Sequence, residues 1–210
     1  MRTYRDSCGI ARALDVVGDR WALLVVRELL LGPKRFSDLR EGLPAVSTDM
    51  LSLRLRELQA AGIVRRAKLP PPARARVYEL SERGRQLEPV LLELGRWGSA
   101  APFPEGAPPL GADAMALALK TVFDPAAAEG LSATYELRLD GQPFVVRVEG
   151  GELDLARGEA ERHDATIATD PATLSDVLWR GGKRSELEVG GSGPAVTRFL
   201  RLFRVSSSEA

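Results

Sequence analysis

The stretch from Ser47 to Leu80 constrains the fold of this chain more than any other. Leu51, Leu55 and Leu58 recur at spacings of four and three, the period of one helix face, and Ser47 or Thr48 stands where an N-cap is wanted. Arg54 and Arg56 lie off that apolar stripe, and Gly62 closes the helix. "IVRRAKL" and "RVYEL" then read as short strands on either side of "PPPARA", a loop too rich in proline for the interior of a helix or a strand. A capped helix, a strand, a basic loop and a returning strand follow one another without a break.

The flanking segments complete the pattern. In "CGIARALDVVG", Ile10, Leu14 and Val17 share one face of a short helix ended by Gly18. Asp19 is the expected cap of an aliphatic helix, "RWALLVVRELLLG", closed by Gly32 and Pro33. "RFSDLREGL" predicts a short helix capped by Ser37, with Phe36 buried. "SERGRQLEPVLLELGRWGSA" predicts a helix bent or interrupted near Pro89. This order is the layout of a winged helix-turn-helix. The Pro- and Gly-dense "APFPEGAPPLG" reads as a linker. Beyond it come a helix ("ADAMALALKTVF"), four strands separated by Asp-Gly, Gly-Gly and charged turns, a helix opened by Pro171, a short strand within "KRSELEV" and a last helix. The expected fold class is therefore multidomain: a mostly α winged domain over residues 1–100, a linker over 101–112 and an α+β domain over 113–205.

Charge separates the halves as well. Residues 1–100 carry 18 Lys/Arg against 12 Asp/Glu, whereas residues 101–210 carry 11 against 17. The neutral total thus joins a basic half to an acidic one, as expected where the first half meets a polyanion. Cys8 is the only cysteine, which excludes an intrachain disulfide and fits a reducing compartment. The first residues lack a signal-peptide core, and no stretch reaches the ~20 unbroken apolar residues of a membrane span. A cytoplasmic protein with no membrane partner is expected. His163 is the only histidine; with one distant cysteine it makes no usual zinc site, and no nucleophile-elbow pattern is present. No catalytic residue, no metal and no cofactor are expected.

A helix that enters a DNA major groove needs one face docked and the other polar or basic. Between Ser47 and Arg76 there are seven Lys/Arg and two Asp/Glu. The candidate contacts with double-stranded DNA are Lys34, Arg35, Ser47, Thr48, Asp49, Ser52, Arg54, Arg56, Arg65, Lys68, Arg74 and Arg76. Ser47 to Ser52 occupy the helix start, where base edges are usually met, and Arg54 and Arg56 suit either bases or phosphates. Basic residues beside a leucine stripe are also what an ordinary solvated helix face carries, and that reading stands beside the first.

The run "CGIARALDVVGDRWALLVVRELLLGPKRFSDL", with "LSLRLRELQAAGIVRR" and "YELSERG", resembles the HxlR-type bacterial winged-helix regulators. The resemblance covers residues 8–98 and implies a DNA-binding homodimer, commonly a repressor, whose recognition helix lies around Thr48–Ala61. It further implies that Trp21, Leu24 and Phe36 are core residues. Ile10 and Leu14 with Leu87, Leu91, Leu94 and Trp97 would pair the subunits. Cys8 sits where the family commonly has a cysteine, in some members a redox sensor, although Gly9 replaces the proline that often follows it.

Residues 114–203 resemble the sterol-carrier (SCP2-like) fold, notably in "ATIATDPATLSDVLWRGG" and "LEVGGSGPAVTRFLRLF". That likeness implies a small hydrophobic effector held near Tyr135, Phe144, Leu174, Leu178, Trp179, Phe199 and Phe203; as plain residues, the same seven would fill a core. The resulting expectation is a homodimeric transcriptional regulator on a pseudo-palindromic operator. The alternative is a non-enzymatic hydrophobic-ligand-binding or scaffold protein whose winged domain mainly dimerises.

Overall fold

The computed structural model describes residues 3–102, 106 and 108–203. Residues 103–105 and 107 of the expected linker, and 204–205 at the end of the expected second domain, lie outside the described residues. The chain divides into two compact units, Met1–Leu91 and Leu92–Ala210.

In the first unit the elements run α1 (Gly9–Val17), α2 (Ala22–Leu29), α3 (Phe36–Gly42), α4 (Thr48–Ala60), β1 (Val64–Lys68), β2 (Arg76–Leu80), α5 (Glu82–Arg85) and the start of α6 (Glu88–Ser99). Ser47 caps α4 through Oγ, which accepts the Met50 N–H at 3.3 Å. Gly62 leaves the helix at φ +70, a left-handed turn that glycine adopts without a Cβ penalty. Leu51, Leu55 and Leu58 are buried and meet Val25, Val26 and Leu29 of α2 and Leu39 of α3 in one core. The strands β1 and β2 pair antiparallel from Val64↔Leu80 to Lys68↔Arg76, and Lys34 adds a bridge to Tyr78.

Three local expectations differ from the structure. The N-cap of α2 is Trp21, at φ +78, rather than Asp19, whose carboxylate is engaged elsewhere. The N-cap of α3 is Arg35 rather than Ser37; Asp38, three residues on, accepts the Arg35 N–H at 2.9 Å and fixes that start. Leu24 is 37% exposed, because the buried side of α2 is made by Ala22, Val25, Val26, Glu28 and Leu29.

The second unit takes up the end of α6, then α7 (Ala112–Val122), β3 (Ala133–Leu139), β4 (Gln142–Glu149), β5 (Glu152–Arg157), β6 (Ala165–Thr169), α8 (Pro171–Trp179), β7 (Glu188–Gly191) and α9 (Gly193–Arg201). Its five-stranded sheet has the order β5-β4-β3-β6-β7, with β3 and β6 parallel and the other neighbours antiparallel. Asp140 and Gly141, both at positive φ, make the tight β3–β4 turn. Tyr135, Leu137 and Leu139 with Phe144, Val146 and Val148 are all buried on one sheet face, and Glu136 and Val145, which point to the other face, are buried as well. "KRSELEV" opens with a 3₁₀ turn, Arg184–Glu186, before the strand begins.

Candidate nucleic-acid interface

Helix α4 turns its leucine stripe into the core, so its opposite side must carry whatever the helix does at the surface. Asp49, Ser52, Arg56 and Gln59, at spacings of three, four and three, line one side of a cleft of about 400 Å3. Arg66 and Tyr78 of the β-hairpin, with Phe36 of α3, form the other side, and Leu55 contributes from below. The Arg66 guanidinium lies over the Tyr78 ring, 5.7 Å from its centroid, held there by the cross-strand pairing of the two residues. Cleft, helix and hairpin thus form one polar, cationic face on an apolar base.

The cations expected to bind DNA fall into two groups. Lys34 is buried, with Nζ 2.6 Å from Glu28 Oε2, and Glu28 is itself only 2% exposed and also paired with Arg27. Arg54 is likewise turned away from solvent: its side chain is 11% exposed and its Nη1 lies 2.6 Å from Asp19 Oδ2, with Glu57 as a second partner. Both are among the expected DNA contacts, and in the fold each is largely buried and ion-paired with a carboxylate. Arg65 is exposed but paired with Glu79 at 2.7 Å. Arg35, Arg56, Lys68, Arg74 and Arg76 have no ion-pair partner among the described residues. Ser47, Thr48 and Asp49 are exposed at the helix start, and Ser52 is half-buried on the cleft wall. Arg66 and Gln59 line the same cleft and are not among the contacts expected from the sequence. Arg66 is legible only once the hairpin register sets it opposite Tyr78 and leaves Arg65 opposite Glu79.

A model of the HxlR-like helix-turn-helix family matches residues 16–104. The uncharacterized HTH-type transcriptional regulator YybR of Bacillus subtilis is 37% identical over 99 residues, 46% of this chain and 77% of its own length. The protein belongs to the HxlR-like family. A second relative, the HTH-type transcriptional regulator YodB of the same organism, is 39% identical over 85 residues, 40% of this chain and 76% of its own. The solved reduced form of YodB aligns at 35% identity with a TM-score of 0.40, covering 49% of this chain and all of that one. The relatives that match this first half of the chain are named as HTH-type transcriptional regulators.

Beside the HxlR-like face, the other expected sites are placed as follows. Cys8 is exposed and precedes α1, its N–H donated to Asp6 Oδ1 at 2.8 Å. Ile10, Leu14, Leu94 and Trp97 are exposed, Trp97 to 79%, whereas Leu87 and Leu91 are half-buried against the first unit's core. In the second unit Tyr135, Phe144, Leu174, Phe199 and Phe203 are fully buried, and Leu178 and Trp179 are half-buried. Phe199 packs edge-on against both Tyr135 and Phe203, at 5.1 and 4.9 Å. Tyr135 Oη is buried without a hydrogen-bond partner among the described residues, and burial pushes its phenol above the ordinary range despite the opposing Arg198 charge. His163 accepts or donates a hydrogen bond with Thr166 at 2.9 Å, at the surface. Among the described residues no group of three or more His, Cys, Asp or Glu is placed to hold a metal, and no helix is long and apolar enough to cross a membrane.

Proposed function

We propose that the protein is a homodimeric transcriptional repressor that binds a pseudo-palindromic DNA operator through α4 and the β1–β2 hairpin. The observation that carries this reading is the face around the α4 cleft, where cations without carboxylate partners among the described residues line a helix and a wing of an HxlR-like domain. Arg35, Lys68, Arg74 and Arg76 serve the phosphates, and the start of α4 approaches base edges. The exposed apolar side chains of α1 and of α6, Trp97 above all, support subunit pairing, since large apolar groups at a surface gain by association. The second unit is assigned as an SCP2-like effector domain. Its helix-and-strand order and the Tyr135 hydroxyl, buried amid apolar rings with no hydrogen-bond partner among the described residues, support a small hydrophobic ligand with one polar group.

The test is a salt series with the purified protein on DNA from upstream of its own gene, against scrambled duplex. Between 50 and 200 mM salt a surface making six or more phosphate contacts loses on the order of a thousand-fold in affinity. A two-fold-symmetric footprint on one sequence, well above scrambled duplex, is the expected outcome. If genomic selection finds no preferred site, the reading fails and a scaffold or carrier takes its place.

A further inference from the structure

The two arginines of α4 look equivalent in the sequence, two residues apart on one helix, yet the fold gives them opposite fates. Arg54 is consumed: its guanidinium bridges Asp19 and Glu57 and is largely hidden. Arg56, in the next turn of the outer line, is exposed and has no ion-pair partner among the described residues. It lines the cleft together with Asp49, Ser52 and Gln59.

The company Arg56 keeps decides what it faces. A side chain that serves a phosphate needs only positive charge around it, and Asp49 on the same line would repel the backbone at close range. The same carboxylate is tolerated, and useful, against base edges, where it accepts from the cytosine N4 amino group. Ser52 and Gln59 are neutral donors and acceptors, again suited to bases. The opposite cleft wall already holds a cation for the backbone: Arg66, pinned over the Tyr78 ring. Beyond it, Lys68, Arg74 and Arg76 of the hairpin have no acidic residue between them in sequence. Division of labour follows. On the regulator reading, the hairpin and Arg66 would neutralise phosphate and the Asp49–Gln59 line would meet the floor of the major groove.

Resting on the regulator reading above, we infer that Arg56 is the residue that sets sequence preference, donating two hydrogen bonds to O6 and N7 of a guanine in each half-site. A planar guanidinium matches that pair of acceptors, and among the four bases only guanine presents both on its major-groove edge. Arg54 becomes a positioning residue, holding α4 against Asp19 of the α1–α2 connection.

The experiment is selection of binding sites from random duplex DNA by the full-length protein and by its Arg56→Ala and Arg56→Gln variants, each shown to be folded by circular dichroism. The wild type is expected to select a symmetric motif containing an invariant guanine, and replacing that guanine by adenine should cost roughly ten-fold or more in affinity. Arg56→Ala should keep the rest of the motif and lose preference at that one position per half-site. Arg56→Gln should move the preference there to adenine, whose N6 and N7 suit an amide. If both variants select the unchanged wild-type motif and merely bind more weakly throughout, Arg56 contacts phosphate and the assignment is overturned while the regulator reading stands. A wild-type protein that selects no motif overturns both.

Discussion

At the scale of single residues, most of the acidic groups here are partners rather than reagents. Glu28 is the clearest case: buried, it is shared by Lys34 and Arg27, and a Cβ at Gly42 would overlap its carboxylate. No spacing rule in the sequence marks Lys34 as an inward cation, since the pair that captures it spans a helix, a turn and a bridge to Tyr78. Asp170 shows the same logic in a form that titrates. It caps α8 by accepting the Thr173 N–H at 2.9 Å and the Thr173 hydroxyl at 2.7 Å, and these bonds hold its carboxyl below the ordinary value of 3.8. A carboxyl lowered on folding contributes stability that is complete above the unfolded value and is lost as pH falls through the folded one. Thermal unfolding should therefore show the second unit losing the contribution of Asp170 only below about pH 3.8, with nothing lost between pH 7 and 5. Asp170→Ala should cost about 1 kcal/mol at neutral pH. Asp170→Asn should keep most of the cap while removing that acid dependence; an Asn variant with the wild-type acid profile would show that other carboxyls dominate it.

At the scale of elements, periodicity was the legible signal. The stripes of α1 and α4, the two strands of the wing, the alternation of β3 and β4 and the break before α6 can all be read from the sequence, because each depends on a period or a breaker within a few residues. What escaped depends on contacts across the chain. Asp19 reads as a cap for α2 but is drawn to Arg54, 35 residues away, and Trp21 takes the left-handed turn instead. Arg65 and Arg66 are interchangeable in sequence until the hairpin pairs one with Glu79 and the other with Tyr78. The candidate site was thus legible as a pair of elements, helix and hairpin, and not in the pairing of its individual cations. The wing carries a prediction of its own. Arg74→Ala with Arg76→Ala should lower the slope of log affinity against log salt by about two per subunit and leave the selected motif unchanged, since phosphate contacts carry no base identity. Fluorescence anisotropy at five salt concentrations measures the slope. An unaltered slope would remove the wing from the interface.

At the scale of the whole molecule, regulation requires that something in the second unit distinguish DNA-bound from DNA-free protein. Tight binding alone achieves nothing: a ligand held equally by both states shifts no equilibrium, whatever its affinity. The Tyr135 hydroxyl offers a way to separate a receptor from a well-packed domain. Buried with no hydrogen-bond partner among the described residues, it costs stability in the free protein, so Tyr135→Phe should leave the unfolding midpoint unchanged or raise it. If that hydroxyl meets a ligand's polar group, the same variant should bind an apolar acid such as dodecanoate more weakly. Coupling is then measured twice, as the change in operator affinity at saturating dodecanoate and as the change in dodecanoate affinity at saturating operator. Thermodynamic reciprocity demands the same factor from both titrations, and a working effector site gives a factor of about 5 to 150. Binding by the wild type with a factor of one would make the second unit a carrier, indifferent to the operator. Binding that Tyr135→Phe leaves untouched would place the ligand away from the aromatic cluster of Tyr135, Phe199 and Phe203 and return those rings to the role of core.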